Sequence, residues 1–501
     1  MRTFKLEVTV VQKNLRGFRT AGLPDAQGDA PVHSGQPLPV DAPSLHETLT
    51  RAKDSVSFAT RFLQYVPFFL ILIAIALVAQ VTLLSAHSLA WNQWAYSEWL
   101  INYDAGFIRR GLSGALIDHM RVPPLVVVNV LVFVVFTSFC LLFWRVLRNS
   151  ARSASWAAIL AMLVPNGPVQ MAAANEFFYR KEIVFHVALG ISCILYQRIV
   201  NTTSDTRRVL FSWIFFALLM MQVVAFPLLH EVFLFISFPA SWLLARQVAA
   251  LQPHRPVFGW LLNSTVIVSI GMMVVCAVFR GNQAVADQLW KSLSGSDRML
   301  ISPSAPDTPT GGIAAIGWST LKNLSLVGDT MVSSQFWIWI FVAAGAGAVL
   351  ALITALRSAQ RESPDVSIQL LRRHLSQLWF LFVASLPMYV LGWDWARWIS
   401  SVAISYLFLS FADSTASIQP PQLLRFVPRR WRSGLETTRD YFADQVVPAI
   451  STMATRHRVG LIALALFYCM TFRPPECCMQ GGYNPYYRIK PVLAELSHLR
   501  R

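Results

Sequence analysis

The stretch VPFFLILIAIALVAQVTLLSA at residues 66–86 carries no charged side chain. A helix needs about 20 predominantly apolar residues to cross the hydrocarbon core of a bilayer. Inside a bilayer every backbone polar group must find its hydrogen bond within the protein, which favours helices for isolated spans. This segment therefore predicts a membrane-spanning helix, and it argues against a chain that folds entirely in water.

Ten further stretches have a similar character. The eleven candidate spans lie near 66–86, 123–144, 154–171, 183–197, 209–229, 232–245, 259–279, 336–356, 377–392, 397–412 and 459–472. Several are short, and the three shortest (183–197, 232–245 and 459–472) fall clearly below the usual roughly 17–25 residues, so we expect them to be tilted, re-entrant or differently bounded. Composition agrees, because only 14% of residues are charged, against about 25% in a soluble domain. We predict an all-α polytopic membrane protein with about 11 transmembrane helices.

The net charge of +16 would be consistent with nucleic-acid binding. The positions of the basic residues, however, indicate that the charge reflects how the chain is oriented in the membrane. With a cytoplasmic N-terminus, 27 of the 42 Lys and Arg residues fall in inner segments, and every inner loop is basic. Positive residues collect in cytoplasmic loops. We therefore predict a cytoplasmic N-terminus and a lipid bilayer as partner, with no nucleic acid.

The chain divides into four predicted regions. They are a cytoplasmic N-terminal segment (1–65), partly disordered because 21–45 is rich in Pro, Ala and Gly; a transmembrane core (66–412) with periplasmic loops at 87–122 and 280–335; a basic cytoplasmic segment (413–458); and a last span with a periplasmic tail (459–501). Arg429, Arg430 and Arg432 beside Trp431 predict an interfacial helix in the third region.

Several classes of site lack their motifs. The six cysteines show no zinc spacing, and Cys477 and Cys478 are adjacent, a placement in which they rarely bond to each other. His230-Glu231 has no second His four residues on, and no Walker A sequence is present. The cofactor therefore stays unknown: a divalent metal is possible, but no ligand motif calls for one.

The first predicted outer segment, 87–122, places Glu98, Asp104, Arg109, Arg110 and Asp118 among many aromatic residues. Aromatic side chains favour the boundary between water and lipid. The pattern predicts one or two interfacial helices, broken near its glycines at 106 or 111. Such a segment would hold charges at the depth of a lipid headgroup.

The other outer segments add further charges. Arg180, Lys181 and Glu182 run directly into a span, His230 and Glu231 occupy a tight hairpin, and Asp394 and Arg397 stand among three Trp residues. The long loop 280–335 is expected to act as a lid or to bind an acceptor. Charges near membrane depth are costly unless paired or hydrated, and they commonly mark a pathway or a site.

These residue types suit one kind of chemistry. Guanidinium groups donate paired hydrogen bonds to phosphate oxygens, and a carboxylate can take a proton from an incoming hydroxyl. Both are needed to transfer a sugar from a polyprenyl phosphate or diphosphate. The candidate catalytic residues are Asp104, His230, Glu231 and Asp394, with Asp104 favoured as the base; the candidate substrate-binding residues are Arg109, Arg110, Arg180, Lys181, Glu182 and Arg397.

Structural explanations stay open for each of these signals. Asp104 with Arg109 and Arg110 can be an ion pair that stabilises an interfacial helix. Asp394 and Arg397 can form an i,i+3 pair at a helix start. The tryptophans nearby can belong to an aromatic belt.

Three runs carry a resemblance: DAGFIRRGLSG (104–114), Arg180-Lys181-Glu182 and WDWARW (393–398). With the topology over about 60–412, the chain resembles bacterial multi-spanning proteins of surface-polysaccharide assembly, which include polymerase-like proteins and GT-C membrane glycosyltransferases. The GT-C resemblance implies an acidic catalytic residue in the first outer loop, at Asp104 or less favourably Glu98. The polymerase resemblance implies outer-face arginines, at Arg109, Arg110 and Arg180. The chain lacks a pair of adjacent acids at that loop, which leaves metal dependence open.

The expected function is therefore an inner-membrane glycosyltransferase or polysaccharide polymerase that works on the periplasmic face, in cell-envelope polysaccharide assembly. Its expected partners are a lipid-linked saccharide donor and a glycan acceptor, and other envelope-assembly proteins are possible. The alternatives are a transporter or flippase for a lipid-linked or anionic substrate, or a non-catalytic membrane assembly protein. A transporter predicts polar residues through the midplane and interrupted helices.

Overall fold

The computed structural model describes residues 45–84, 93–151, 154–165, 167–173, 176–332, 335–359, 364–392, 394–413, 418, 421 and 429–471. The predicted disordered segment and the adjacent Cys477 and Cys478 lie outside the described residues. The chain divides into two compact units, Met1–Phe58 and Ala59–Arg501, and the second contains the bundle and the site described below.

Every regular element among the described residues is helical. The first half contains α1 (Leu45–Ala79), α2 (Gln93–Trp99), α3 (Leu112–Asp118), α4 (Pro124–Ala151), α5 (Ser155–Leu163), α6 (Pro168–Ala173), α7 (Glu182–Asn201), α8 (Asp205–Leu229), α9 (Phe233–Ile236) and α10 (Phe238–Ala250), with a π-helical turn at Gln80–Leu84 and a 3₁₀ turn at Glu176–Tyr179.

The second half is equally helical. It contains α11 (Val257–Val278), α12 (Gln283–Ser292), α13 (Gly295–Ile301), α14 (Gly311–Ile316), α15 (Thr320–Val332), α16 (Gln335–Ser358), α17 (Pro364–Leu391), α18 (Trp395–Ala412), α19 (Arg429–Tyr441), α20 (Val447–Arg456) and α21 (Arg458–Thr471), with a π-helical turn at Phe442–Val446.

Eight segments among the described residues are long and apolar enough to cross a membrane. Each coincides with one of the eleven predicted spans, which confirms the helical polytopic membrane class. The other three predicted spans differ: 232–245 is divided between α9 and α10, and the helices at Arg397–Ala412 and Arg458–Thr471 are shorter than the eight. The number of crossings and their orientation therefore stay predictions.

Burial separates the spans into a core and a lipid-facing group. The window at Ser155–Ala173 is 94% buried, whereas that at Val257–Val278 is only 17% buried. Apolar side chains project outwards from the second group, for example Ile267 with 70% exposure. Lipid tails solvate such a surface as well as a protein core does. Helix α7 lies inside the bundle, in contact with α4, α8, α10 and α18.

The first predicted outer segment forms two short helices, α2 and α3. The connection between them contains Gly106, whose φ of 95° is left-handed. The predicted break near the glycines is therefore confirmed. Because no side chain obstructs a glycine backbone there, the chain can reverse and bring the residues after Gly106 towards the bundle.

Within the described part of the long loop at 280–335, α13 and α14 pack on α2. The Tyr96 hydroxyl donates to Asp297 Oδ1 at 2.8 Å, and the Gly312 N–H donates to Ser97 Oγ at 2.7 Å. Trp290 Nε1 donates to the Pro306 carbonyl at 2.7 Å, which ties the loop to itself. The loop therefore covers the helix that carries Glu98.

Candidate functional site

Five separate segments bring charged side chains together at one end of the bundle. They are α2, the connection before α3, the start of α7, the turn after α8 and the start of α18. We call the group the ionic cluster; it consists of Glu98, Arg109, Arg110, Arg180, Lys181, Glu182, His230, Glu231, Asp394 and Arg397. Every site residue predicted from the sequence belongs to it except Asp104.

Arg397 joins the buried half of the cluster. Its Nε lies 3.2 Å from Glu182 Oε1 and 3.2 Å from Asp394 Oδ2, and its Nη1 lies 3.8 Å from Glu98 Oε1. Arg180 Nη1 approaches the other Glu98 oxygen at 3.1 Å. All of these residues are buried. Removing one partner of such a group would leave a buried charge uncompensated.

The other half of the cluster is more open and centres on Glu231. Arg110 binds this carboxylate through both nitrogens of one guanidinium edge, with Nε 2.8 Å from Oε2 and Nη2 on Oε1. Arg109 Nη1 lies 3.2 Å from the same Oε1. The side chains of Arg109, Arg110 and Glu231 are 22%, 15% and 14% exposed. This trio forms the mouth of the cluster.

The backbone of Arg110 is strained. Its φ is 71°, in the left-handed region, where a residue with a Cβ is uncommon. The Lys181 ammonium holds the turn, because it donates to the Arg110 carbonyl at 3.3 Å and to the Leu229 carbonyl at 3.4 Å. The Arg109 N–H donates to the Phe279 carbonyl at 2.8 Å. Strain of this kind persists where the surroundings enforce it, and it clusters at functional sites.

The cluster shifts the acidity of its members. Burial alone raises the pKa of Glu98, but the positive charges of Arg180 and Arg397 outweigh it and hold that pKa well below its usual range. Glu231 behaves alike, because Arg109 and Arg110 lower its pKa more than burial raises it. Burial, with the charge of Arg110, lowers the pKa of Lys181 to about 7. Both carboxylates are thus ionised, and both are weak bases while paired.

His230 is buried as a neutral ring. The Val232 N–H donates to Nδ1 at 3.3 Å, so in the neutral ring the proton sits on Nε2, which faces Glu182 Oε1 at 3.9 Å. Burial and the positive charge of Arg110 hold the pKa of His230 well below its usual range. The hydrogen bond to Nδ1 fixes the ring against the turn that carries Glu231.

Several buried polar atoms of the cluster make no hydrogen bond within the described residues. They are Glu98 Oε2, Arg180 Nη1, both carboxylate oxygens of Glu182 and His230 Nε2. Nearly all buried polar groups in folded proteins are hydrogen-bonded. The described residues therefore leave hydrogen-bonding capacity inside the cluster that a bound ligand or water can use.

Asp104 lies apart from the cluster. Its carboxylate is exposed and accepts from Asn102 Nδ2 at 2.8 Å, while the same amide nitrogen donates to Asp118 at 2.9 Å. Arg109 and Arg110 form their ion pairs with Glu231 instead. The residue favoured from the sequence as base is thus placed outside the group of arginines, and the less favoured Glu98 is placed inside it.

Arg280 is a cation that the sequence analysis did not single out. It follows the apolar helix α11, and its charge helps to lower the pKa of Arg109. The negative charge of Glu231 raises the pKa of Arg109, but burial and the positive charges of Arg110 and Arg280 together lower it by more. Arg280 Nη1 donates to Thr320 Oγ1 at 2.9 Å. The signal in the sequence that marks Arg280 is its position directly after the predicted span 259–279.

The mouth adjoins an apolar surface. Phe107 precedes Arg109 by two residues, and the Phe279 carbonyl accepts the Arg109 N–H. These two phenylalanines are 45% and 42% exposed, and their rings meet edge to face at 5.0 Å. Val278, at the end of the lipid-facing helix α11, is 67% exposed. The guanidinium groups of Arg109 and Arg110 thus stand beside an exposed apolar surface.

The cluster offers no metal site within the described residues. No group of three or more His, Cys, Asp or Glu side chains there is placed to hold a metal ion. Each of its carboxylates faces an arginine instead. The carboxylates of the cluster are thus engaged by guanidinium groups.

Comparisons with protein-family models, curated proteins and solved structures find no match to this chain.

Proposed function

We propose that the protein transfers a sugar from a polyprenyl phosphate or diphosphate donor to a glycan acceptor. In this proposal it is a membrane glycosyltransferase or polysaccharide polymerase of cell-envelope polysaccharide assembly, with its ionic cluster on the periplasmic face of the inner membrane. One observation carries the proposal: Arg109 and Arg110 form the half-buried mouth of a buried ionic cluster, directly beside the exposed Phe107 and Phe279.

The mouth suits a ligand with two unlike parts. A phosphate accepts paired hydrogen bonds from guanidinium groups better than from ammonium groups. A polyprenyl tail needs apolar surface, which the end of α11 supplies. A free sugar phosphate would use only the arginines, and a lipid without a phosphate would use only the apolar surface. Because the arginines and the apolar surface are adjacent, a lipid-linked phosphate is favoured.

The reaction needs a leaving-group site and a proton acceptor. The acceptor hydroxyl oxygen bonds to the anomeric carbon of the donor sugar while the bond from that carbon to the phosphate oxygen breaks. The electron pair leaves on the phosphate, where arginines stabilise the negative charge. A carboxylate of the cluster takes the hydroxyl proton. Arg180 and Arg397 are engaged by Glu98 and Glu182, so their role is to hold those acids in place.

The loop at 280–335 is the candidate for binding the acceptor. Its helix α14 packs on α2, with the Gly312 N–H bonded to Ser97, the residue before Glu98. A glycan that contacts this loop would lie over the cluster. Loops that close over a site order the substrate and exclude water.

The transporter alternative is favoured by a separate observation. Asn129, His186 and Gln222 are buried within candidate spans, and each has a side-chain atom without a hydrogen-bond partner. His186 lies one helical turn from Glu182 along α7. Polar groups in this position can line a route for an ion or a substrate. Transport by the purified protein without any change in the donor would favour this alternative.

The test is product formation by the purified full-length chain in liposomes that contain a polyprenyl-phosphate-linked sugar. We expect sugar transfer by the wild type and its loss in Arg110→Gln. Arg255→Gln is the matched control, because Arg255 also pairs with a carboxylate, Asp205 at 2.7 Å, but on an exposed surface. Normal product from a stably inserted Arg110→Gln protein would refute the proposal.

A further inference from the structure

Glu231 occupies the position in which a phosphate group would meet the two arginines of the mouth. One edge of the Arg110 guanidinium holds both of its oxygens, and Arg109 reaches one of them at 3.2 Å. A phosphate accepts this same paired pattern, and does so more strongly because it carries more negative charge. The protein therefore binds its own carboxylate where an anionic ligand fits.

We propose that a diphosphate ester of a membrane lipid displaces Glu231 from Arg109 and Arg110, and that the released carboxylate then accepts the proton of the acceptor hydroxyl. This inference rests on the proposed function for its second half. The first half, displacement of Glu231 by an anion, stands on the geometry of the mouth alone.

Exchange is possible at the mouth and not deeper in the cluster. The side chains of Arg109, Arg110 and Glu231 are 22%, 15% and 14% exposed, and that of Asp394 is 13% exposed. Those of Glu98 and Glu182 are each only 4% exposed. Those two acids stay with Arg180 and Arg397 when the mouth opens. The buried half is therefore a fixed frame, and the Glu231 pairs are the ones that a ligand entering from outside meets first.

The backbone supports the same exchange. Arg110 is held in its left-handed conformation by the contact of Lys181 with its carbonyl, so the turn is fixed independently of Glu231. Arg109 is fixed through its own N–H on Phe279. The backbone of both arginines therefore stays in place while the carboxylate leaves. A ligand then meets a turn that is already ordered, which reduces the conformational freedom lost on binding.

Displacement also changes the chemistry of Glu231. While Arg109 and Arg110 hold it, its pKa lies well below the usual range, and it is a poor proton acceptor. When a phosphate neutralises those cations, their attraction is lost and burial raises the pKa. Glu231 becomes an effective base only after the donor has bound. This order suppresses proton abstraction from water or acceptor at an empty site.

The step balances in atoms and charge. The acceptor oxygen bonds to the anomeric carbon and loses its proton to a Glu231 oxygen. The carbon–oxygen bond to the phosphate breaks, and its electron pair departs with the phosphate, which stays on Arg109 and Arg110. Glu231 returns to the arginines after it releases the proton and the phosphate leaves.

The experiment measures anion binding by the full-length chain in detergent, with inorganic pyrophosphate and farnesyl diphosphate as probes. Glu231→Gln removes the internal competitor, so we expect pyrophosphate affinity to rise by about tenfold, which corresponds to about 1.4 kcal/mol. Asp205→Asn is the matched control, because it removes an arginine-paired carboxylate at the opposite end of α8. We expect this variant to bind pyrophosphate with the wild-type affinity. Unchanged or weaker binding by Glu231→Gln would overturn the displacement.

The ligand-induced change in melting temperature is a second measurement, which stays informative even if Glu231→Gln is less stable than the wild type. A ligand that binds only the folded state raises the melting temperature. Pyrophosphate should therefore raise the melting temperature of Glu231→Gln more than that of the wild type, even if the variant starts lower. An equal or smaller rise contradicts the proposal, since it would show that Glu231 does not compete for the anion.

The lipid part of the ligand is tested separately. Farnesyl diphosphate should bind more tightly than pyrophosphate to the wild type, and phosphatidylglycerol in nanodiscs should not compete with it. Equal affinity of the two diphosphates, or full competition by phosphatidylglycerol, overturns the assignment to a lipid diphosphate ester. If both binding results hold and no sugar transfer is found, the proposed function fails while displacement by the anion stands.

Discussion

The Lys181 ammonium lies 3.3 Å from the backbone carbonyl oxygen of Arg110. The same nitrogen lies 3.4 Å from the Leu229 carbonyl, and it faces the Trp99 ring at 5.8 Å. One buried amine thus links the start of α7, the strained turn at Arg110 and the end of α8. This link fixes the position of Arg110 relative to Glu231, because Arg110 lies in the strained turn and Glu231 follows directly after the end of α8.

Lys181 gives folding stability a defined pH dependence. Burial lowers its pKa from an ordinary 10.5 to about 7. Between these values the unfolded chain binds more protons than the folded chain, so stability rises with pH across this window. We expect the melting temperature of the wild type, relative to Lys181→Met, to increase from pH 7 to pH 9. Groups other than Lys181 titrate in both proteins and cancel. Parallel curves for the two proteins would contradict the prediction.

Arg397 is expected to be the most costly of the buried cations to remove. It contacts Glu98, Glu182 and Asp394, and its loss leaves these carboxylates without that cation. Breaking a buried ion pair costs roughly 3–5 kcal/mol, so Arg397→Gln should lower the thermal midpoint of the detergent-solubilised protein strongly. Arg397→Lys should recover only part of the loss, because one ammonium cannot reproduce the planar guanidinium.

The control for that experiment is Arg255→Gln. Arg255 and Asp205 form an exposed pair, with side chains 42% and 66% exposed. Exposed pairs contribute only about 0–1 kcal/mol. A similar drop in midpoint for both variants would show that charge number, and not burial among the three acids, explains the effect.

Much of the site could be predicted from the sequence because of chain topology. Charged residues that stand at the same side of successive spans are brought to the same end of a bundle. Arg180 and Glu182 at the start of α7, Glu231 after α8 and Arg397 at the start of α18 follow this rule. Short connections to the spans leave them little freedom to lie elsewhere.

The pairing within the site could not be predicted in this way. Asp104 stands close to Arg110 in the sequence, but Asn102 holds its carboxylate, and Glu231 pairs with Arg110 across 121 positions. The direction of the Arg110 side chain depends on a positive φ that nothing local in the sequence favours. The division of 232–245 into α9 and α10 does have a local signal, because Pro239 lies in the first turn of α10, where proline is favoured. The apolar character of both pieces made them look like one span.

Gly312 is expected to control how the 280–335 loop seats on Glu98. A Cβ at this position would overlap the Glu98 Cγ and lie 3.1 Å from the Glu98 Cα. Gly312→Ala should therefore displace the Glu98 side chain and push α14 away from α2. Overpacking of this kind costs typically about 1–3 kcal/mol. We expect a lower melting temperature and weaker sugar transfer.

Gly328→Ala is the matched control for Gly312→Ala. Gly328 lies in α15, and a Cβ there would meet no atom within 4 Å. Alanine is favoured over glycine in a helix by up to about 1 kcal/mol, so this variant should be neutral or slightly more stable. If Gly312→Ala matches Gly328→Ala in stability and activity, the close approach of the loop to Glu98 has no consequence.

Asp104→Asn and Glu231→Gln distinguish the two candidate bases. Asp104 is exposed and outside the ionic cluster, whereas Glu231 contacts both arginines of the mouth. We expect Asp104→Asn to retain wild-type sugar transfer and Glu231→Gln to lose about 10²–10⁴-fold, the usual contribution of a general base. Initial rates in liposomes, normalised to inserted protein, provide the measurement. Loss of transfer in Asp104→Asn with retention in Glu231→Gln would restore the assignment made from the sequence and would show that Asp104 reaches the acceptor from outside the cluster.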